Sequence, residues 1–157
     1  MRIIGIDPGV DGAMALWDGG TIKVWDLPVE GGEIDGRELS IHLATLNVVE
    51  RIDMVFLEET TAMPKIGSKA NYSQGLSRGI IVTAVKIAQI PLTRVRPAIW
   101  KRNQGLSSDK AASLKLAKEL WPDQADRFKL VKHHNRAEAA LIARYGAYTL
   151  IHQEAAS

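Results

Sequence analysis

The sequence predicts one mixed α/β domain, and three observations carry that expectation. Apolar runs of β-branched residues open the chain, separated by Pro-Gly and Gly-Gly turn signals. Met54-Val55-Phe56-Leu57 is a continuous apolar run, suited to a central strand buried on both faces. Segments of helical period then intervene between the later strands. The resulting order is strand-strand-strand-helix-strand-helix-strand-helix-helix. With 157 residues and no repeat, low-complexity stretch or linker, residues 1–157 are expected to share a single core.

Ile3-Ile4-Gly5-Ile6 is the first strand, and it delivers Asp7 where Pro8 and Gly9 force a turn. Residues 10–17 read as a second strand, Asp18-Gly19-Gly20 as a turn, and 21–27 as a third strand, completing an antiparallel three-strand meander. Residues 28–36 are polar and glycine-rich, hence a loop. Asp35 can cap a helix running to about residue 51, with Leu39, Leu43, Leu46 and Val49 at helical spacing. After the central strand, residues 60–71 read as an exposed basic loop holding Met63-Pro64, Lys65 and Lys69. A helix over about 72–88 follows, on which Gly75 and Gly79 permit another backbone to come close. Residues 91–95 form a short strand, and Pro97 opens a turn or helix through Trp100-Lys101. Ser107-Ser108-Asp109 caps a basic helix that should stop near Trp121-Pro122. The last helix is expected from His134 or Asn135 to about residue 153.

Composition excludes several chemistries. There is no Cys, so disulfides, thiolate nucleophiles and Cys-ligated zinc are ruled out. No apolar run reaches membrane-spanning length, and Met1-Arg2 leads straight into the first strand, so a cytoplasmic protein without signal peptide or membrane partner is expected. A net charge of +2 hides an asymmetry: residues 1–59 carry 4 Lys/Arg against 12 Asp/Glu, while residues 60–157 carry 16 against 6. An acidic half supplying carboxylates and a basic half attracting polyanions suits a nuclease, unless folding interleaves the two.

Three acids share a geometry. Asp7 closes the first strand, Glu58 closes the buried strand, and Glu138 lies one turn into the last helix. Asn135 and His134 stand three and four residues before Glu138, on the same helix side. Such an oxygen-rich set suits Mg²⁺ or Mn²⁺, and two such ions can clamp the attacking and leaving oxygens of phosphoryl transfer. Each residue also has an ordinary role open to it. Asp7 suits an Asx-turn, Glu138 suits the first-turn dipole, and Glu59 competes with Glu58 for the inward position.

Gly5-Ile6-Asp7-Pro8-Gly9, Leu57-Glu58, Ala62-Met63-Pro64 and Asn135-Arg136-Ala137-Glu138-Ala139 together resemble the RuvC family of Holliday junction resolvases, in its compact phage-type branch. The resemblance implies an RNase H-like fold, in which parallel strands join the meander in a mixed central sheet flanked by helices. It also implies a homodimer, a divalent-metal site and paired symmetric nicks in four-way DNA. By position, Asp7, Glu58 and Glu138 match three of the family's acids. The fourth is replaced here, with Asn135, His134 and His133 as the nearby candidates, so His134 and Asn135 join the expected metal and catalytic set. Phosphate and junction contacts are expected from Lys65, Lys69, Tyr72, Arg78, Arg94, Arg96, Lys101, Arg102, Lys110, Lys115 and Lys118. The helix bearing Gly75 and Gly79 is the expected dimer face. Another RNase H-like nuclease acting on branched DNA or RNA, or a non-catalytic junction-binding protein, are the competing readings.

Overall fold

The structure, a computed structural model, describes residues 1–59, 67–107 and 109–156. Strands β1 (Arg2–Asp7), β2 (Ala13–Asp18) and β3 (Thr21–Asp26) form the expected antiparallel meander. Within residues 28–36 the chain makes a two-strand hairpin rather than an unstructured loop, β4 (Val29–Glu30) and β5 (Glu33–Ile34). Gly31 and Gly32, at φ 60° and 83°, supply the left-handed pair that a two-residue hairpin turn needs. Helix α1 (Gly36–Glu50) follows, with Asp35 accepting hydrogen bonds from the Arg37 and Glu38 amides as its cap. Then come β6 (Met54–Glu58), α2 (Ser68–Ile87), β7 (Leu92–Val95), α3 (Pro97–Asn103) and α4 (Lys110–Leu120). Two 3₁₀ segments, Pro122–Phe128 and Val131–His133, lead into α5 (His134–Ala155).

The five long strands make one mixed sheet in the order β3-β2-β1-β6-β7, with β6 parallel to both β1 and β7. Alternation along each strand splits the core in two. Ile4, Ile6, Met14, Leu16, Val55 and Leu57 meet Leu39, Leu43, Ile81 and Val85 of α1 and α2. Ile3, Ala13, Ala15, Trp17 and Phe56 face the other way, toward Trp100, Phe128 and the alanine-rich middle of α5. Each fully buried aliphatic side chain contributes about 1.5–3 kcal/mol by leaving water. The layering is therefore fixed strongly by the strand pattern.

Glycine decides how closely α5 approaches the sheet. A Cβ on Gly5 would collide with the Ala139 carbonyl and the Ala143 backbone, and one on Gly146 would enter the Phe56 ring. With Ala137, Ala139, Ala140 and Ala143 all fully buried, α5 lies nearly flush on β1. That contact sets the depth of Glu138 relative to the strand ends.

Several boundaries differ from expectation. β2 starts at Ala13, not residue 10, because the Gly12 amide bonds back to the Gly9 carbonyl at 2.9 Å and closes a tight turn. Helix α2 begins four residues early, so Lys69 lies on its first turn and not in a loop. Met63, Pro64, Lys65 and Ser108 lie outside the described residues. Among the described residues, nothing lies within 4 Å of where a Cβ on Gly75 or Gly79 would stand, so no described element uses the close approach they permit. The acidic and basic halves partly interleave, through Arg136–Asp26 and Arg96–Glu59 (3.5 Å), while Arg2–Asp18 (3.0 Å) and Lys23–Glu50 (3.1 Å) join residues within the acidic half. Among the described residues no helix is long and apolar enough to cross a membrane.

Candidate active site

Parallel pairing of β1 with β6 puts Gly5 beside Phe56. Two residues on, by strand alternation, Asp7 and Glu58 leave the sheet on the face covered by α5. Glu138, in the second turn of α5, comes down over those strand ends. One ligand atom from each of the three carboxylates lies within 4.8 Å of the others. All three residues are buried, at 9%, 8% and 6% exposure. Of the adjacent acids, Glu58 turns inward; Glu59, one residue past the end of β6, pairs with Arg96 at 3.5 Å.

Burial of like charges carries an electrostatic cost, visible in the acids themselves. The Asp7 carboxyl is held well above its usual range, first by desolvation and then by Glu58 and Glu138, with Lys101 and Lys110 opposing. Glu58 is also raised, chiefly by desolvation; the Trp100 hydrogen bond pulls the other way. The Trp100 indole N–H donates to Glu58 Oε2 at 2.7 Å. The Lys101 ammonium donates to Glu138 Oε1 at 2.8 Å, and the Ser113 hydroxyl donates to the same oxygen at 3.2 Å.

Lys101, expected from the sequence to meet phosphate, thus stands beside the acids and is paired with Glu138. Trp100 is fully buried and locks the rotation of α3, which aims its neighbour inward. His134 and Asn135 do not join the three acids. The His134 ring donates from Nδ1 to the Val131 carbonyl at 3.1 Å and accepts at Nε2 from Lys110 at 3.0 Å. The Asn135 amide donates to the Asp11 carbonyl. Both line a groove of about 820 Å³ that runs along residues 8–12, the turn that follows Asp7. Ser73 and Gln74 of α2 form one wall of the groove, and Lys110, Lys132 and Arg136 supply positive charge on the other.

Among the remaining expected contacts, Tyr72 is 70% exposed on α2. Lys69, Arg96, Arg102, Lys110 and Lys115 are exposed, and Arg78 is half-buried. Lys115 also faces Glu119 at 4.0 Å. Sequence reasoning missed Trp100 and Ser113 as partners of the acids. A Trp directly before a Lys in a Pro97-started turn was the available signal for the first. Ser113, set among the buried Leu114 and Ala117, was the signal for the second.

No protein-family model and no curated protein matches this sequence. Solved structures do match its fold. One is RuvC of Thermus thermophilus in complex with a Holliday junction substrate, with a TM-score of 0.64 and 16% identity over 95% of this chain and 96% of that one. RuvC of T. thermophilus in a second structure gives a TM-score of 0.64 at 18% identity, with the same coverage. The yeast mitochondrial Holliday junction resolvase Ydc2 gives 0.54 at 16% identity, over 92% of this chain and 76% of that one. The chain thus has the RNase H-like architecture of RuvC, along nearly its whole length.

Proposed function

We propose that this protein is a structure-selective DNA endonuclease that resolves Holliday junctions by paired symmetric nicks, hydrolysing phosphodiesters with bound Mg²⁺ or Mn²⁺. The observation that carries the reading is the convergence of Asp7, Glu58 and Glu138 at adjacent strand ends within a RuvC-like fold. Three desolvated carboxylates are hard oxygen donors whose mutual repulsion a divalent cation relieves, so the donor set fits these metals. When bound, a pair of such ions supplies charge neutralisation on the phosphate and a water of lowered pKa.

The chain's own groups complete the site. Asp7, Glu58 and Glu138 would hold the cations between them, and both other acids lie close enough to Asp7 to raise its carboxyl. Lys101 adds positive charge beside Glu138, and a fixed positive charge of this kind would stabilise the extra negative charge that a phosphate gains during attack. Burial keeps these interactions unscreened. Lys110 and Lys132 draw the DNA backbone into the groove, whose Arg136 is paired with Asp26. His134, held by Lys110, shapes that wall and needs no charge of its own to do so.

Symmetric cutting needs two sites related by a two-fold axis. Helices α1 and α2 border an apolar groove of about 850 Å³, floored by Gly75 and Gly79 and flanked by the exposed Ile41 and Ile87. A second copy of the chain is the proposed occupant.

The replaced fourth carboxylate favours one rival, a junction-binding protein without catalysis. Incubation with Mn²⁺ and a panel of four-way junction, fork, flap, duplex and RNA hybrid separates the readings. Paired nicks in the junction, lost in Asp7→Asn and Glu138→Gln, are expected. Binding without nicking, or cleavage spread evenly over the panel, refutes the proposal.

A further inference from the structure

We infer that Trp100 and Ser113 are positioning residues for the acid cluster, each holding one carboxylate oxygen so that the other is presented to the cation. The inference rests on the metal-dependent reading above and adds residues from α3 and α4, elements that contribute no acid to the cluster.

An indole N–H is a donor only, and when buried it takes whatever acceptor its ring position allows. Trp121 shows the ordinary use: its N–H goes to the Gly20 carbonyl at 2.9 Å, tying one segment to another. Trp100 instead spends its donor on Glu58 Oε2 at 2.7 Å, inside the acid cluster. The ring is fully buried, so it is a rigid anchor for a side chain with three rotatable bonds. Ser113 is also fully buried, on the face of α4 that carries Leu114 and Ala117. A hydroxyl there is unfavourable without a partner, and its partner is Glu138 Oε1. Lys101 takes that same oxygen, so two donors fix it and aim its twin away from them.

The two neutral donors differ from Lys101 in one respect. They orient a carboxylate without bringing a positive charge of their own into the cluster. Outer partners of metal-ligating groups act in this manner, and their loss typically weakens metal affinity about 10–100-fold.

The test measures Mn²⁺ binding by calorimetry on the full chain without DNA, together with junction affinity in EDTA. Trp100→Phe keeps a buried aromatic ring, though a smaller one, and removes the donor. It is expected to weaken Mn²⁺ binding about 10–100-fold while leaving metal-free junction affinity unchanged. Ser113→Ala should lower Mn²⁺ affinity in the same direction, and Ser113→Thr, which keeps the hydroxyl, should recover it. If Trp100→Phe fails to fold by circular dichroism, the Ser113 pair decides by the same criterion. Folded variants that lose melting temperature yet bind Mn²⁺ like the parent overturn the inference, since that is the signature of a packing role alone. A Ser113→Thr protein as weak as Ser113→Ala also overturns the role given to the hydroxyl. A parent protein that binds no Mn²⁺ is a different result: it refutes the metal-dependent function itself.

Discussion

Asp7→Asn should make the metal-free protein more stable while abolishing its response to metal. Asp7 presents a ligand atom no more than 4.8 Å from those of Glu58 and Glu138. At an effective dielectric of about 20, each like-charge pair at that separation costs about 3 kcal/mol. Attraction to Lys101 and Lys110 offsets part of this, and so does proton uptake by Asp7. A net gain of about 1–3 kcal/mol on neutralising Asp7 is the reasonable scale. For a chain of this size that is a rise in melting temperature of about 2–4 °C per kcal/mol. The pH sign follows from the raised carboxyl. The folded form keeps the Asp7 proton to higher pH than the unfolded chain does. This part of the stability is therefore present below the unfolded value, about 3.9, and is lost as pH rises through the folded value. Thermal melts in EDTA from pH 4 to 9 should show that decline in the parent and a flatter curve in Asp7→Asn. Adding Mn²⁺ at pH 8 should raise the parent's midpoint and leave the variant's unchanged. An Asp7→Asn protein no more stable than the parent in EDTA, or one that keeps the full Mn²⁺ shift, refutes the reasoning.

Gly5→Ala should cost about 3 kcal/mol in urea unfolding, because the new methyl meets α5 backbone that has no room to yield. The same variant should bind Mn²⁺ more weakly, since lifting α5 carries Glu138 away from Asp7. Gly79→Arg, at a helical position with open space around it, should leave monomer stability within about 0.5 kcal/mol and convert a dimer to a monomer in sedimentation. Junction affinity should fall steeply with salt, and Lys132→Ala should reduce the slope of log affinity against log salt by about 1.

The strands, their turns and the two-faced core were legible in the chain because local chemistry settles them. A period of two in Ile3-Ile4-Gly5-Ile6 and an apolar run at Met54-Val55-Phe56-Leu57 leave few alternatives. The three acids were legible for a related reason. Strand ends and a helix's second turn are places where sequence position fixes spatial position closely. Boundaries near glycine were less so: the hairpin at Gly31-Gly32 and the early start of α2 depend on turn closure that composition does not show. The basic residues divided unevenly. Lys110 and Arg102 lie at the surface, whereas Lys101 turns inward to Glu138.

By itself the sequence determined that a carboxylate ends β1, another ends β6 and a third sits on the helix that must cover them. The hydrophobic pattern forces those strands into one sheet covered by helices on both faces. Only the tertiary structure decided which neighbours the acids have. The β1–β6 register decides that Glu58 and not Glu59 faces inward. Whether Lys101 serves the surface or the cluster and whether His134 reaches the acids depend on rotation of α3 and seating of α5. Those are set by Trp100 filling its pocket and by Gly5 admitting the helix backbone. Such contacts join residues far apart in the chain, and local pattern carries no record of them.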